Sequence, residues 1–269
     1  MLIVVKTGGS ILNEGIPQEL LSDLKHNTDK HCIVFVHGGG IEVTEIAEKL
    51  GKEQRFVVSP GGFRSRYTDK ETAEIYAMVM AGKINKQVVL QLQANGINAV
   101  GLSGLDGSLL SAERKKKLII VDERGRRRAI DGGYTGKICN VNSALIKSII
   151  KEGYVPVIAP VAVSENYEAL NVDGDRAAAY IAGFLQADKL ILLTDVQGLS
   201  LNGKFINKLS MAEAKNALKR IGYGMVTKVF AAVEAIEMGV KEVVIASGLS
   251  ETPISSSSTH KIGTVISRE

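Results

Sequence analysis

The strongest constraint on the fold is an alternation that begins at the N-terminus. A short apolar run, residues 2–6, stops at Thr7-Gly8-Gly9, and residues 16–24 follow with helical spacing. A second apolar run, residues 32–36, stops at His37-Gly38-Gly39-Gly40, and residues 41–50 take up the helical spacing directly from those glycines. Runs too apolar to leave one face wet, each followed by a helical segment, predict parallel strands covered by helices on both faces. Further along, the pattern predicts a hairpin or lid over 55–69 around Pro60-Gly61-Gly62, then one long helix over 70–94 and a strand at 97–101. A hairpin over 117–131, a helix at 142–152 and a strand at 155–158 come next. The series resumes with a helix at 174–186, a strand at 189–193, helices at 210–220 and 225–238, and strands at 242–246 and 263–267. The serines at 255–258 read as a polar, mobile loop. Because no linker separates the halves, they are expected to share one sheet.

With 269 residues, 45% of them hydrophobic, the chain suits one large domain or two lobes on a common sheet. No apolar stretch approaches the roughly 20 residues of a membrane-spanning helix. The opening run is too short, and lacks the preceding charge, for a signal sequence. Cys32 and Cys139, the only two cysteines, lie far apart. That argues against a disulfide framework or a zinc site and for a reducing cytoplasm. The net charge is only +4, yet Arg114-Lys115-Lys116-Lys117 and Arg124-Gly125-Arg126-Arg127-Arg128 concentrate positive charge around one predicted turn. Such a cluster is either a solvated surface or a device that steers an acidic protein partner. Interleaved aromatics are absent from it, which argues against nucleic acid.

The glycine clusters carry the first chemical signal. Glycine lets backbone approach a ligand closely and present N–H donors, and a following helix adds the positive end of its dipole. Two such loops at the carboxyl ends of neighbouring parallel strands suit the oxygens of a triphosphate, and Lys6 ends the first strand within reach of the same anion. In the second half, Asn171, Asp173 and Asp175 precede an alanine-rich helix, where one aspartate is enough for a cap. Asp195 ends a strand in an acidic loop suited to a ribose or another nucleotide contact. Lys228 stands in the first turn of an apolar helix, unfavourable for a cation unless an anion compensates it. Gly198-Leu-Ser-Leu-Asn-Gly203-Lys204-Phe205 imitates a P-loop but has Phe205 where magnesium needs a hydroxyl, and it reads instead as a hairpin turn. The dinucleotide-binding, nucleophile-elbow and zincin motifs are absent.

Taken in order, Lys6-x-Gly-Gly, His37-Gly38-Gly39-Gly40, Arg66-Tyr67-Thr68-Asp69, Asn171-Val172-Asp173-Gly174-Asp175 and Met225-Val226-Thr227-Lys228 resemble the amino acid kinase family over essentially the whole chain. Within it they look like the acetylglutamate kinase branch. The resemblance implies an α/β fold, a three-layer αβα sandwich with a mainly parallel central sheet. It also implies an acceptor-binding and dimerising half over 1–170 and an ATP-binding half over 171–269. Lys6 and Lys228 would flank the transferred phosphoryl group as catalytic residues, with Asp175 holding them in register. Gly8 and Gly9 would contact the nucleotide phosphates, while Gly38, Gly39 and Gly40 would line the acceptor. Arg66 and Asn171 would grip the acceptor's carboxylate or amide. Mg²⁺ would travel with ATP on phosphate oxygens, with no metal ligands from the protein. The chemistry is self-consistent: a carboxylate acceptor is already ionised at pH 7, so no general base is needed. Phosphoryl transfer then depends on positioning and charge neutralisation.

The acceptor is narrowed by Ser65-Arg66-Tyr67-Thr68-Asp69. This segment looks more like the kinases of the carrier-protein route to lysine and arginine than like free acetylglutamate kinases. The resemblance then implies phosphorylation of the side-chain carboxylate of 2-aminoadipate or glutamate whose amino group is linked to a small acidic carrier protein, with the basic hairpin from Lys115 to Arg128 as its dock. Free N-acetyl-L-glutamate is the alternative acceptor, and a non-catalytic nucleotide-binding regulator the alternative of another class. The chain opens directly on its first strand, so a homodimer rather than a feedback-inhibited hexamer is expected.

Overall fold

The computed structural model describes residues 1–13, 15–222 and 224–269. An eight-stranded sheet runs through the molecule in the order Lys208–Ser210, Thr264–Ser267, Glu242–Ser247, Lys189–Thr194, Leu2–Thr7, Cys32–His37, Val155–Ala159, Ala99–Ser103. Every neighbouring pair is parallel except Glu242–Ser247 with Thr264–Ser267. The first strand lies inside the sheet, with Cys32–His37 on one side and Lys189–Thr194 on the other. One sheet thus joins the two halves of the chain, and the first two glycine loops leave it side by side.

Period-2 alternation sorts the strand side chains into two buried layers. Ile3, Val5, Ile33 and Phe35 pack with helices Gln18–Thr28 and Gly40–Lys49 and the long helix over 70–94. Val4, Val34 and Val36 pack on the other face, against helices Gly174–Leu185 and Met225–Glu237. Lys6 shares the parity of Val4, so it points toward the helices that carry Asp175 and Lys228.

The long helix forms as one rod whose central turns, Met78–Ile84, are π-helical between α segments Lys70–Ala77 and Asn85–Ala94. Asp69 caps its start by accepting from the Thr72 N–H (2.9 Å). The expected hairpins are present as Phe56–Val58 with Arg64–Arg66 and Lys117–Val121 with Arg127–Asp131. The P-loop look-alike is also a hairpin, Ser200–Leu201 with Lys204–Phe205.

Two features depart from the sequence reading. A second sheet, ordered Ala169–Asn171, Val161–Val163, Leu110–Arg114, Gly136–Val141, was not anticipated. Its strands are short and interrupted by polar residues, and they become strands only by pairing with one another. The serines at 255–258 are not a mobile loop but the body of a helix, Pro253–Ser258. Proline starts it, and Asp23 of another helix caps it from outside, accepting from the N–H groups of Ile254 (2.6 Å) and Ser255 (2.9 Å). Asn27 donates to the Ser255 hydroxyl (2.9 Å), and Ser257 is fully buried.

Candidate active site

At the carboxyl ends of the first two strands the glycine loops touch backbone to backbone. A Cβ on Gly38 would lie 2.8 Å from the Gly9 nitrogen, and one on Gly9 would lie 3.0 Å from the Gly39 nitrogen. Only glycine permits this approach. Two of the loop amides are already engaged: Gly8 donates to Leu193 O (3.3 Å) and Gly38 to Thr7 O (2.8 Å). Gly9, Gly39 and Gly40 line the cavity beyond. Gly40 opens a ten-residue helix, whose first N–H groups lack intrahelical partners and attract an anion.

His37 holds the second loop from below. It is fully buried, with Nδ1 3.0 Å from Gly38 O and Nε2 3.1 Å from Asn85 Nδ2. The Asn85 amide donates, so Nε2 accepts and Nδ1–H donates to the carbonyl, a neutral imidazole. Burial pushes the His37 pKa down to about 4.

The cavity, about 510 Å³, is bounded by both glycine loops, the hairpin over 56–66 and the start of helix Gly174–Leu185. Asp175 sits at its floor with Lys6 2.7 Å from Oδ1 and Lys228 3.0 Å from Oδ2. All three side chains are nearly or wholly withdrawn from solvent. Burial opposes the charge of Asp175, but the two ammoniums outweigh it and hold its pKa at about 2. For Lys6, burial and Lys228 lower the pKa against the pull of Asp175. For Lys228, Asp175 prevails over burial and raises it. The two aspartates have different partners: Asp173 caps the helix by accepting from the Arg176 N–H (2.9 Å), and Asp175 pairs with both lysines. Lys6 and Asp175 line the cavity, while Lys228 is held behind them on the other Asp175 oxygen, so two cations share one anion and positive charge is left in excess beside the cavity.

Of the other expected residues, Arg66, at the end of the hairpin's second strand, lines the cavity. Its Nη2 donates to Gly40 O (2.7 Å) and Thr44 Oγ1 (2.9 Å), and Nη1 donates to Gln54. Asn171 also lines the cavity and donates from Nδ2 to Thr68 Oγ1 (2.9 Å). Asp195 is exposed beyond the cavity and accepts from Thr194 Oγ1 (3.0 Å), with its charge felt by Lys228. Sequence reading missed three groups. Tyr76 lines the cavity and shares its hydroxyl between Pro160 O (3.3 Å) and Val172 O (3.4 Å). Arg176 lines it while paired with Glu234. Phe63 of the hairpin meets Phe230 edge to face (5.4 Å), linking the hairpin to helix Met225–Glu237. None carries a local signal; each is recruited by packing between distant segments.

Known proteins supply the context for this geometry. The pattern of the amino acid kinase family matches residues 1–247. A Sulfolobus acidocaldarius protein named LysW-aminoadipate/LysW-glutamate kinase is 48% identical over 266 residues, covering 98% of this chain and 100% of its own. A Sulfurisphaera tokodaii protein of the same name is 49% identical over 268 residues, with the same coverage. A Nitrosopumilus maritimus protein that carries the name provisionally is 53% identical over 268 residues, all of both chains. Among solved structures, smu.665 from Streptococcus mutans superposes with a TM-score of 0.80 at 24% identity, covering 100% of this chain and 99% of its own. A carbamate kinase from Giardia does so with a TM-score of 0.70 at 17% identity, again covering 100% and 99%. These two likenesses speak to the fold alone, whereas the family match and the full-length relatives go further: the chain belongs to the amino acid kinase family.

Proposed function

We propose that this chain transfers the γ-phosphoryl group of ATP to the side-chain carboxylate of 2-aminoadipate, and of glutamate, carried through its amino group on a small acidic protein. The observation that carries the reaction class is the Lys6–Asp175–Lys228 arrangement at the floor of a glycine-walled cavity. The acceptor carboxylate enters as an anion, so the protein removes no proton from it. Lys6 and Lys228 neutralise the charge that spreads over the phosphoryl oxygens in transfer, and the loop amides at Gly9, Gly39 and Gly40 hold the reactants in line. Asp175 keeps the two ammoniums apart and aimed. Arg66 faces the acceptor from residues 1–170 and Asn171 from the start of the second half, while residues 171–269 also supply Lys228 and, through Asp195, a contact for the nucleotide. Among the described residues, no three His, Cys, Asp or Glu side chains converge on one point. Both Asp175 oxygens face lysines and Asp173 caps a helix, so this donor set fits Mg²⁺ carried on the nucleotide's own phosphates.

The carrier-linked acceptor is supported by the names and full-length similarity of the relatives and by the position of the basic hairpin. Its root, Lys115 and Leu118, forms part of the cavity wall, and its first strand packs against the hairpin over 56–66. Asp122 pairs with Arg126 and Arg128 (both 3.0 Å), whereas Lys116, Lys117, Arg124 and Arg127 have no carboxylate partner among the described residues. Unpaired cations on a hairpin whose root lines the cavity suit an acidic carrier. Two copies of the chain associating through residues 1–170, in a reducing cytoplasm that keeps Cys32 and Cys139 as thiols, complete the reading. The test is hydroxylamine trapping of the acyl phosphate with carrier-linked aminoadipate and free N-acetylglutamate offered side by side. Turnover of the carrier-linked acceptor alone supports the proposal; turnover of the free amino acid derivative alone replaces it with the simpler kinase.

A further inference from the structure

The long helix is π-helical where it packs against the second glycine loop. A π-helical turn holds an extra residue, so it changes which side chains behind it face the sheet. Met80 and Ile84 of the π-helical turns press on the loop, and a Cβ on Gly39 would strike both. Asn85, the first residue after those turns, is fully buried. Its Nδ2 donates to Val157 O (3.0 Å) and reaches Leu102 O (3.2 Å), on two neighbouring strands of the sheet. Its Oδ1 accepts from Lys86 Nζ (3.1 Å). The amide is thus oriented from both ends, with its nitrogen 3.1 Å from His37 Nε2. An NH2 group cannot accept, so the ring proton is excluded from Nε2 and stands on Nδ1.

That proton is the one aimed at Gly38 O (3.0 Å). No cis peptide bond occurs among the described residues, so the Gly39 N–H points opposite to the Gly38 carbonyl. With the oxygen turned to the buried ring, the N–H is turned away from it, toward the cavity that Gly39 lines with Gly9. Glycine on both sides leaves this peptide without side chains to resist its rotation. Rotated by half a turn, it would present a carbonyl oxygen instead of an N–H to an incoming phosphate, a repulsion in place of a hydrogen bond. Burial, with Lys6 and Lys86 adding to it, keeps the ring from taking the second proton that would oppose the Asn85 amide.

We propose that Asn85 is a positioning residue for phosphoryl transfer: by donating to Nε2 it keeps His37 in its Nδ1–H form, and His37 in turn keeps the Gly38–Gly39 peptide with its N–H toward the cavity. This rests on the reading of the cavity as a phosphoryl-transfer site, whichever acceptor it takes. Asn85 touches no reactant and acts only through the ring and the loop. The π-helical turns bring it under His37, and the two strand carbonyls hold it there.

The first test is nitrogen NMR of the histidine-labelled wild type at neutral pH, with His37→Asn identifying the His37 signals. A protonated Nδ1 and a bare Nε2 are expected; a protonated Nε2 overturns the proposal without any further variant. The second is a kinetic cycle of acyl-phosphate formation over wild type, Asn85→Leu, His37→Asn and the double variant. The amide introduced by His37→Asn carries an N–H near the place of Nδ1 and donates to Gly38 O without help from residue 85. Asn85→Leu is therefore expected to lower kcat by about tenfold or more in the wild-type background, with the KM for ATP within about twofold, and to lower it by no more than about twofold in the His37→Asn background. An equal loss in both backgrounds, or no loss in either, reduces Asn85 to packing and overturns the proposal while the phosphoryl-transfer function stands. If wild type forms no acyl phosphate from either acceptor, the function and this inference fall together.

Discussion

The Lys6 ammonium lies 2.7 Å from Oδ1 of Asp175, joining the end of the first strand to the first turn of a helix far along the chain. Lys228 occupies the other oxygen at 3.0 Å, so one carboxylate sets the positions of two cations that arrive from different elements. Lys6→Ala and Lys228→Ala are each expected to lower kcat by about 100-fold or more, with smaller changes in the KM for ATP. Asp175→Asn leaves two buried ammoniums without their anion and should cost about 3–5 kcal/mol of stability. Denaturant unfolding of Asp175→Asn and of Asp175→Asn/Lys6→Met separates the two effects: removing one cation should restore part of the loss.

The contact between the glycine loops predicts a positional requirement. Gly38→Ala places a methyl group 2.8 Å from the Gly9 nitrogen and must part the loops. A displacement of about an ångström at a phosphoryl-transfer site should lower kcat/KM by about 100-fold. Gly82→Ala, whose methyl group meets nothing within 4 Å, should leave kcat/KM at the wild-type value in the same assay.

His37 makes stability depend on pH. Its pKa in the folded protein is lowered to about 4, so the unfolded chain takes up a proton at a higher pH than the native state does. The contribution is complete above the unfolded value near 6.5 and is lost as pH falls from there toward 4, up to about 3 kcal/mol. The stability advantage of wild type over His37→Asn, from urea unfolding at a series of pH values, should shrink as pH falls through that window.

The helix Pro253–Ser258 depends on a carboxylate from elsewhere. Asp23→Ala removes the acceptor for two of its N–H groups and should destabilise the fold by about 1–3 kcal/mol. Hydrogen exchange over 254–259 should accelerate more than over the central strands, because the helix loses its tie to helix Gln18–Thr28.

Charge reversal on the basic hairpin separates docking from chemistry. Arg124→Glu/Arg127→Glu removes two cations that have no carboxylate partner among the described residues. The KM for a carrier-linked acceptor should rise by about tenfold and lose much of its salt dependence, while the KM for ATP holds. An unchanged acceptor KM would return the hairpin to an ordinary solvated surface.

The sequence by itself determined the layered α/β fold, because apolar runs such as 32–36 can be covered on both faces only by helices. It also determined both glycine loops, since close backbone approach demands glycine, and the hairpin at Asn202-Gly203, since Phe205 stands where a P-loop needs a hydroxyl. The paired lysines were legible through family resemblance and an oddly placed cation at the start of a helix. What the tertiary structure decided depends on segments that meet only in space. The second sheet exists because four weak strands pair with one another. The serine helix is stable because Asp23, 231 residues from Ile254 along the chain, caps it. Either Asp173 or Asp175 suits a helix cap as a letter, and only resemblance set Asp175 apart; in the fold one accepts from a helix N–H and the other meets two ammoniums. Lys115 read as one of a run of surface charges until the sheet turned it into the cavity beside Asn171.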